Sequence, residues 1–276
     1  MDLQSRQDIE IGLFMQALRL RHGYDFAGYA RASFNRRVRA LAEASGAASI
    51  SALTERLIHD EPFLAEVIGR LSVPVSEMFR NPPVFDLLRR EVLPVLASYP
   101  QINIWQAGCA HGEEAYSMAI LLKEAGLYAR ARIYATDISE LALERARAGI
   151  YPLREAQLFS SNYLQAGGSG SLSDWYTAAY QHIKLDQALA ERITFANHNL
   201  AADGVFGEMH LILCRNVLIY FGEPLQQRAL ALFRDSLVRG GFLCLGDRER
   251  PSEPRFAQDF GAIAPGASVF RRVTAR

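Results

Sequence analysis

The chain is poor in the features that most readily name a protein's chemistry. It has three cysteines, Cys109, Cys214 and Cys244, far apart and in no metal-ligand spacing. That excludes a disulfide scaffold or a zinc finger, and reads as reduced thiols of a cytosolic protein. The six histidines are scattered without an HxxxH pair, so no metal is expected. Basic and acidic residues number 30 each, for a net charge of +0. There is therefore no global electrostatic case for nucleic acid or for a membrane surface. No run reaches the roughly 18 apolar residues of a membrane-spanning helix. The opening MDLQSRQDIE lacks the apolar core of a signal peptide. No internal repeat is visible. What is present, 50% hydrophobic and 22% charged residues over 276 positions, predicts a globular cytoplasmic chain. It has room for one large domain, or one with a small partner.

Two regimes divide it. Residues 1–98 read as helical, with apolar stripes at Leu13, Phe14, Ala17, Leu18 and Leu20, then Phe34, Val38, Leu41 and Ala42. Leu53, Leu57 and Ile58 follow, then Phe63, Leu64, Val67, Ile68 and Leu71. Asn81-Pro82-Pro83 opens a helix running to Leu96. From residue 99 to 276 short apolar strands alternate with helices. Strands are predicted at 102–107, 131–135, 193–196, 209–214 and 242–245. Helices are predicted at 113–125, at 139–148 with Ser139 as N-cap, and at 225–238, followed by a turn at Gly240-Gly241. Such alternation predicts an α/β domain with a parallel sheet covered on both faces. Residues 153–190, which include GGSGSLSDWYTAAYQHIKL, break the rhythm and read as an inserted hairpin or small β-subdomain.

The stretch IWQAGCAHGEEAYS (104–117) turns from strand to helix through Gly108 and Gly112, the usual ligand position of an open α/β sheet. Its G-x-x-x-G spacing is neither the dinucleotide fingerprint nor a P-loop. Glu113 and Glu114 would repel a pyrophosphate, unless they merely complement a helix N-terminus. Asp137 ends the next strand, 29 residues after Gly108, where an acid suits ribose hydroxyls or caps the next helix. A glycine turn, a ribose acid and no phosphate-binding lysine fit a cationic nucleoside, S-adenosylmethionine.

Several motifs in one order resemble the chemotaxis receptor glutamate methyltransferases, the CheR family. They are SVPVSEMFRNPPVF (72–85), IWQAGCAHGEEAYSMAILL (104–122), IYATDISELALERARAGIYP (133–152), FANHNL (195–200), LILCRNVLIYF (211–221) and SLVRGGFLCLGDRE (236–249). The resemblance implies a Rossmann-like methyltransferase domain with an N-terminal all-helical domain and a small inserted β-subdomain. It implies that Ser76, Arg80, Gly108, Glu113, Asp137, Asn199, Leu200, Arg215 and Asn216 hold S-adenosylmethionine or its product S-adenosylhomocysteine. Arg80 and Tyr220 become the candidates for catalysis. Without the resemblance Tyr220 would read as a core aromatic. Arg215, on an otherwise apolar strand, needs a partner in any case. The basic run Arg31, Arg36, Arg37 and Arg39 is a solvated face or, on the resemblance, an acceptor-protein contact, with Arg36, Arg37 and Arg39 as its substrate-binding residues.

The chain departs from the family pattern at Pro74, where Asn is common, and at Ser76, where Thr is common. It departs again at Ala110-His111 and at Asp247-Arg248. Pro74 offers neither an amide side chain nor a backbone donor. The implied reaction is methyl transfer to glutamate side chains of a chemoreceptor or related signalling protein, by a monomer. The competing readings are the same cofactor with another acceptor, and a cofactor-binding module without transfer.

Overall fold

The computed structural model describes residues 3–249, 251 and 254–273. Four helices come first: α1 (Leu3–His22), α2 (Arg31–Ala44), α3 (Ile50–His59) and α4 (Phe63–Leu71). They enclose a core of their own, built on Phe14, Leu18, Phe34, Val38, Leu53, Leu57, Phe63 and Val67. The α1 stripe differs from expectation. Ile11, Phe14 and Leu18 are buried, whereas Leu13 and Leu20 are 53% and 72% exposed. The i, i+3, i+7 set wins because those three positions share one narrow face. Ile58 is likewise exposed, since Leu53 and Leu57 already fill that side of α3.

The helix that opens at Asn81 runs as α5 (Pro82–Leu87), one π-helical turn (Leu88–Val92) and α6 (Leu93–Leu96). Pro94 lacks the N–H that an unbroken α-helix would require there, and the widened turn absorbs the defect.

A seven-stranded sheet follows, in the order β6-β2-β1-β7-β8-β10-β9. Its strands are β1 (Ile102–Ala107), β2 (Ala131–Asp137), β6 (Ile193–Asn197), β7 (Met209–Cys214), β8 (Leu237–Leu245), β9 (Phe260–Ala262) and β10 (Val269–Arg272). The first five are parallel to one another; β10 and β9 add an antiparallel edge. Helices α7 (Glu113–Glu124), α8 (Glu140–Ala148) and α10 (Glu223–Ser236) connect them, and α11 (Pro254–Asp259) precedes β9. The order reverses between β1 and β7, so their carboxyl ends part and leave a crevice there.

Two features correct the expectations. Gly240-Gly241 is no turn: both residues lie inside β8, where its register with β7 shifts between Met209 and Leu211. Gly240 has φ +74°, and a Cβ on Gly241 would lie 3.0 Å from the Val238 carbonyl. The glycines therefore make a bulge within the strand. The insert does contain a small sheet, β3 (Ile150–Pro152), β4 (Tyr176–Ala179) and β5 (His182–Leu185), ordered β3-β5-β4. It also contains a helix, α9 (Ala156–Gln165), which buries Phe159 and Tyr163 in the main core.

Candidate functional site

The crevice between β1 and β7 widens into a cavity of about 880 Å³, open mouth included. Its floor comes from the sheet. Gly108 has φ +77°, and a Cβ there would lie 2.4 Å from Val217 Cγ2, so only glycine lets these two loops pass so closely. Ala110 also has a positive φ, 51°, and its N–H donates to Asp137 Oδ2 at 2.9 Å. The Ser139 N–H donates to Asp137 Oδ1 at 3.0 Å. Burial pushes the Asp137 carboxyl up, and those backbone donors oppose the shift. Asp137 is not the cap of α8: Ser139 is, accepting from the Ala142 N–H. The N-cap alternative therefore falls, and the carboxylate is left to face the cavity.

Arg215 finds the partner its position demands. Its Nη1 donates to Glu114 Oε2 at 2.5 Å, with the two side chains 2% and 5% exposed. Burial works against the Arg215 charge, and the Glu114 carboxylate more than restores it. Gln106 Nε2 donates to the other oxygen of Glu114 at 2.8 Å. The loop after β7 is held by Glu249, which accepts from the N–H groups of Gly246 (2.7 Å), Asn216 (2.8 Å) and Ile219 (3.2 Å). That network fixes Asn216 at φ +60° and carries the chain to Tyr220.

The roof comes from the helices. The segment Ser72–Arg80 crosses the cavity, pinned where the Phe79 N–H donates to Ser117 Oγ at 2.9 Å. Phe79 is held at φ 52°, a conformation that costs on the order of 1–3 kcal/mol. Burial of its ring against Phe85 and Tyr163 offsets that cost. Tyr29 and Phe221 form an isolated antiparallel bridge: the Ala30 N–H donates to the Tyr220 carbonyl (2.8 Å) and the Gly222 N–H to the Gly28 carbonyl (2.7 Å). Arg37 lies over the Tyr220 ring, 4.6 Å from its centroid.

The cavity wall thus brings together Ser76, Arg80, Gly108, Asp137, Asn199, Leu200, Arg215, Asn216 and Tyr220. Glu113 is the exception. Glu114 lines the wall instead, because its turn of α7 faces Arg215. Glu113 is buried behind Ser76, with Oε2 unpartnered. Burial pushes its carboxyl up to about 7, with Glu155 and Glu114 adding to the shift. His111 lies 3.9 Å away, and burial, aided by Arg145, lowers its affinity for a proton. Burial thus works against charge on both groups, which weakens any ion pair between them.

The basic run does not form one face. Arg36 is exposed, Arg39 is held by Asp8 at 3.2 Å, and Arg37 turns into the cavity. The sequence carried a signal for this. Arg37 stands three residues after Phe34 and four before Leu41, on the buried side of α2. Tyr29, Gln106 and His198 also line the cavity and were missed. Gln106 could have been noticed as a polar residue inside the apolar strand INIWQA.

The SAM-binding domain of CheR methyltransferases matches residues 74–261, and the all-alpha domain of the same family matches residues 9–72. Cher3 of Pseudomonas putida, assigned by name as a methyltransferase, is 44% identical over 272 residues, covering 99% of this chain and 100% of its own. A chemotaxis protein methyltransferase of Listeria innocua is 30% identical over 239 residues, covering 84% of this chain and 86% of that one. Chemotaxis protein methyltransferase 1 of Pseudomonas aeruginosa is 29% identical, covering 77% of this chain and 80% of that one.

The cavity suits the cofactor of that family. Buried Gln106 Oε1, Arg215 Nε and His198 Nδ1 have no partner within the described residues and belong to wall residues. Asp137 stands at the strand end where a ribose is read, and the buried acids of α7 disfavour a phosphate. The chain belongs to the CheR methyltransferase family, with S-adenosylmethionine as its cofactor.

Proposed function

We propose that this protein methylates glutamate side chains of a chemoreceptor or related signalling protein, giving glutamate methyl esters. The observation that carries the reading is the group set against Tyr220: a guanidinium, Arg37, 4.6 Å from its ring centroid, where a lysine acceptor would need a general base. Among the described wall residues Glu114 is committed to Arg215, both oxygens of Asp137 accept from backbone N–H groups, and His198, whose Nδ1 is unpartnered, packs its ring against Trp105 and Phe206. A lysine acceptor would have to lose a proton first, whereas a carboxylate is already a nucleophile at pH 7. The names of the Listeria and Pseudomonas aeruginosa relatives support a chemotaxis acceptor.

In this reading Asp137 receives the ribose hydroxyls, Asn199-Leu200 flank the adenosine, and Ser76, Arg80, Arg215 and Asn216 line the remainder. Glu113 serves through Ser76, as an acid that charges when a cation lies nearby. When bound, S-adenosylmethionine supplies an electrophilic methyl group: the new O–C bond forms as the C–S bond breaks, its electron pair remaining on sulfur. Tyr220 and the roof orient the acceptor and exclude water. Alignment of this kind can contribute roughly 7–11 kcal/mol. The ester is neutral, so each transfer deletes one negative charge from the acceptor. We place the enzyme in the cytoplasm as a monomer; no helix among the described residues is long and apolar enough to cross a membrane.

The test is incubation with methyl-labelled cofactor and the purified cytoplasmic fragment of a methyl-accepting chemoreceptor. Label released as methanol by mild alkali supports an ester. Alkali-stable label would point to nitrogen or another acceptor and overturn the proposal.

A further inference from the structure

Three guanidinium groups line the cavity: Arg37, Arg80 and Arg215. Arg215 is neutralised by Glu114 at 2.5 Å. Neither Arg37 nor Arg80 has a carboxylate within ion-pair distance among the described residues. Arg37 is half-buried, and a partly desolvated cation without a counter-charge is costly unless an anion arrives to share the site. The proposed reaction brings two carboxylates to this cavity, one on the methionine end of the cofactor and one on the acceptor. Two free cations face two incoming anions.

The placement of the two arginines tells them apart. Arg80 belongs to the roof segment with Ser76. That segment is pinned to α7 by Phe79 and Ser117, and Arg80 Nη1 donates to the Val75 carbonyl at 3.3 Å. It is part of the surroundings of the cofactor. Arg37 comes from α2, is tethered by Nη1 to the Leu71 carbonyl, and spans the Tyr220 ring at 4.6 Å. Beyond the tether Arg37 interacts with the Tyr220 side chain, and no carboxylate reaches it among the described residues. Tyr220 itself is tied through its carbonyl to the Ala30 N–H, one residue before α2 begins. Burial lowers the pKa of Arg37, and nearby Tyr220 and Tyr29 raise it in turn, but a guanidinium remains charged in a protein.

We propose that Arg37 is the anchor of the acceptor carboxylate, held against Tyr220 by the tether to Leu71. This rests on the glutamate reading above. The helical region then contributes a substrate-contacting residue to the reaction centre, as well as a surface for docking. A guanidinium over an aromatic ring, with one edge tethered, presents its remaining donors in a fixed direction, which a flexible lysine cannot match.

The experiment compares the wild type with Arg37→Gln and Arg37→Lys, using the purified chemoreceptor fragment at saturating cofactor and calorimetric titration of S-adenosylhomocysteine. Arg37→Gln is expected to lower acceptor kcat/KM by roughly 10- to 150-fold, the loss of a charged hydrogen bond. Affinity for S-adenosylhomocysteine should stay within about twofold. Arg37→Lys, which keeps charge but not the fork, should recover part of the loss. A thermal melt confirms that each variant folds, and a shift in the melt with no change in kcat/KM would reduce Arg37 to a structural tie. An equal loss of S-adenosylhomocysteine affinity would move Arg37 to the cofactor and overturn the assignment. If the wild type itself forms no base-labile ester, the glutamate reading fails and the assignment falls with it. An active wild type beside an unaffected Arg37→Gln overturns the assignment alone.

Discussion

The floor and the roof of the cavity are built on opposite principles. The floor, at the strand ends, is compensated: Asp137 is held by backbone donors, Glu114 is matched by Arg215, and Glu249 is saturated by three N–H groups. The roof, from α2 and the segment 72–80, presents Arg37 and Arg80 without counter-charges among the described residues. A preformed, charge-compensated floor, with Gln106 Oε1 and Arg215 Nε left for a ligand, suits a cofactor common to every turnover. An uncompensated roof suits anions that come and go. The helical region thus forms half of the cavity wall, joined to the 220–222 segment by two backbone hydrogen bonds and to the Tyr220 ring by a cation–π contact.

The largest expected effect strikes the floor. Arg215→Met should cost about 3–5 kcal/mol of stability, because it leaves the Glu114 carboxylate buried and unmatched. Denaturant unfolding measures it, and a loss below about 1 kcal/mol would mean that water reaches Glu114.

Glu113 gives a pH-dependent effect of similar size. Its carboxyl titrates near 7 in the folded state instead of its ordinary 4.5, so the fold binds a proton that the unfolded chain has released. That stability is fully present below pH 4.5 and is lost as pH rises through 7. The complete loss is on the order of 3 kcal/mol. Glu113→Gln should remove this component, making the ligand-free variant more stable than wild type at pH 8 and leaving the two alike near pH 4. Parallel stability profiles would show that Glu113 is ionised in the fold.

Asp137→Ala should weaken S-adenosylhomocysteine binding by about 1–3 kcal/mol, read by calorimetry, through loss of a charged acceptor for ribose hydroxyls. Tyr220→Phe should lower single-turnover transfer roughly 5- to 150-fold while the cofactor still binds. A wild-type rate would return Tyr220 to the role of a core aromatic. The smallest effect belongs to the outer face of α2. Arg39→Ala should cost no more than about 1 kcal/mol of stability, since its pair with Asp8 is open to solvent. Arg36→Glu should raise the acceptor KM modestly, and added salt should shrink the difference.

Much of this was legible in the sequence. β1 and β7 fall where their apolar runs fall, and Ser139 caps α8 as its position before the helix predicts. The glycine turn, Asp137 and Arg215 announce the floor because each is a local departure from an apolar background. The roof was less legible because it depends on how distant segments meet. Arg37 was grouped with a charge run although its spacing from Phe34 and Leu41 places it on the buried side of the helix. Glu113 and Glu114 adjoin the same turn, and adjacency to it says nothing of which carboxylate faces β7. Gly240-Gly241 read as a turn because a bulge inside a strand uses the same residues, and only the pairing with β7 distinguishes them. The helix α9 was hidden by the polar residues that surround Phe159 and Tyr163.

The division between floor and roof is tested most directly by titrating S-adenosylhomocysteine into the wild type, Asp137→Ala and Arg37→Gln under one set of conditions. The account predicts that Asp137→Ala weakens binding roughly 5- to 150-fold while Arg37→Gln stays within about twofold of wild type. Equal weakening in both variants, or none in Asp137→Ala, would contradict it.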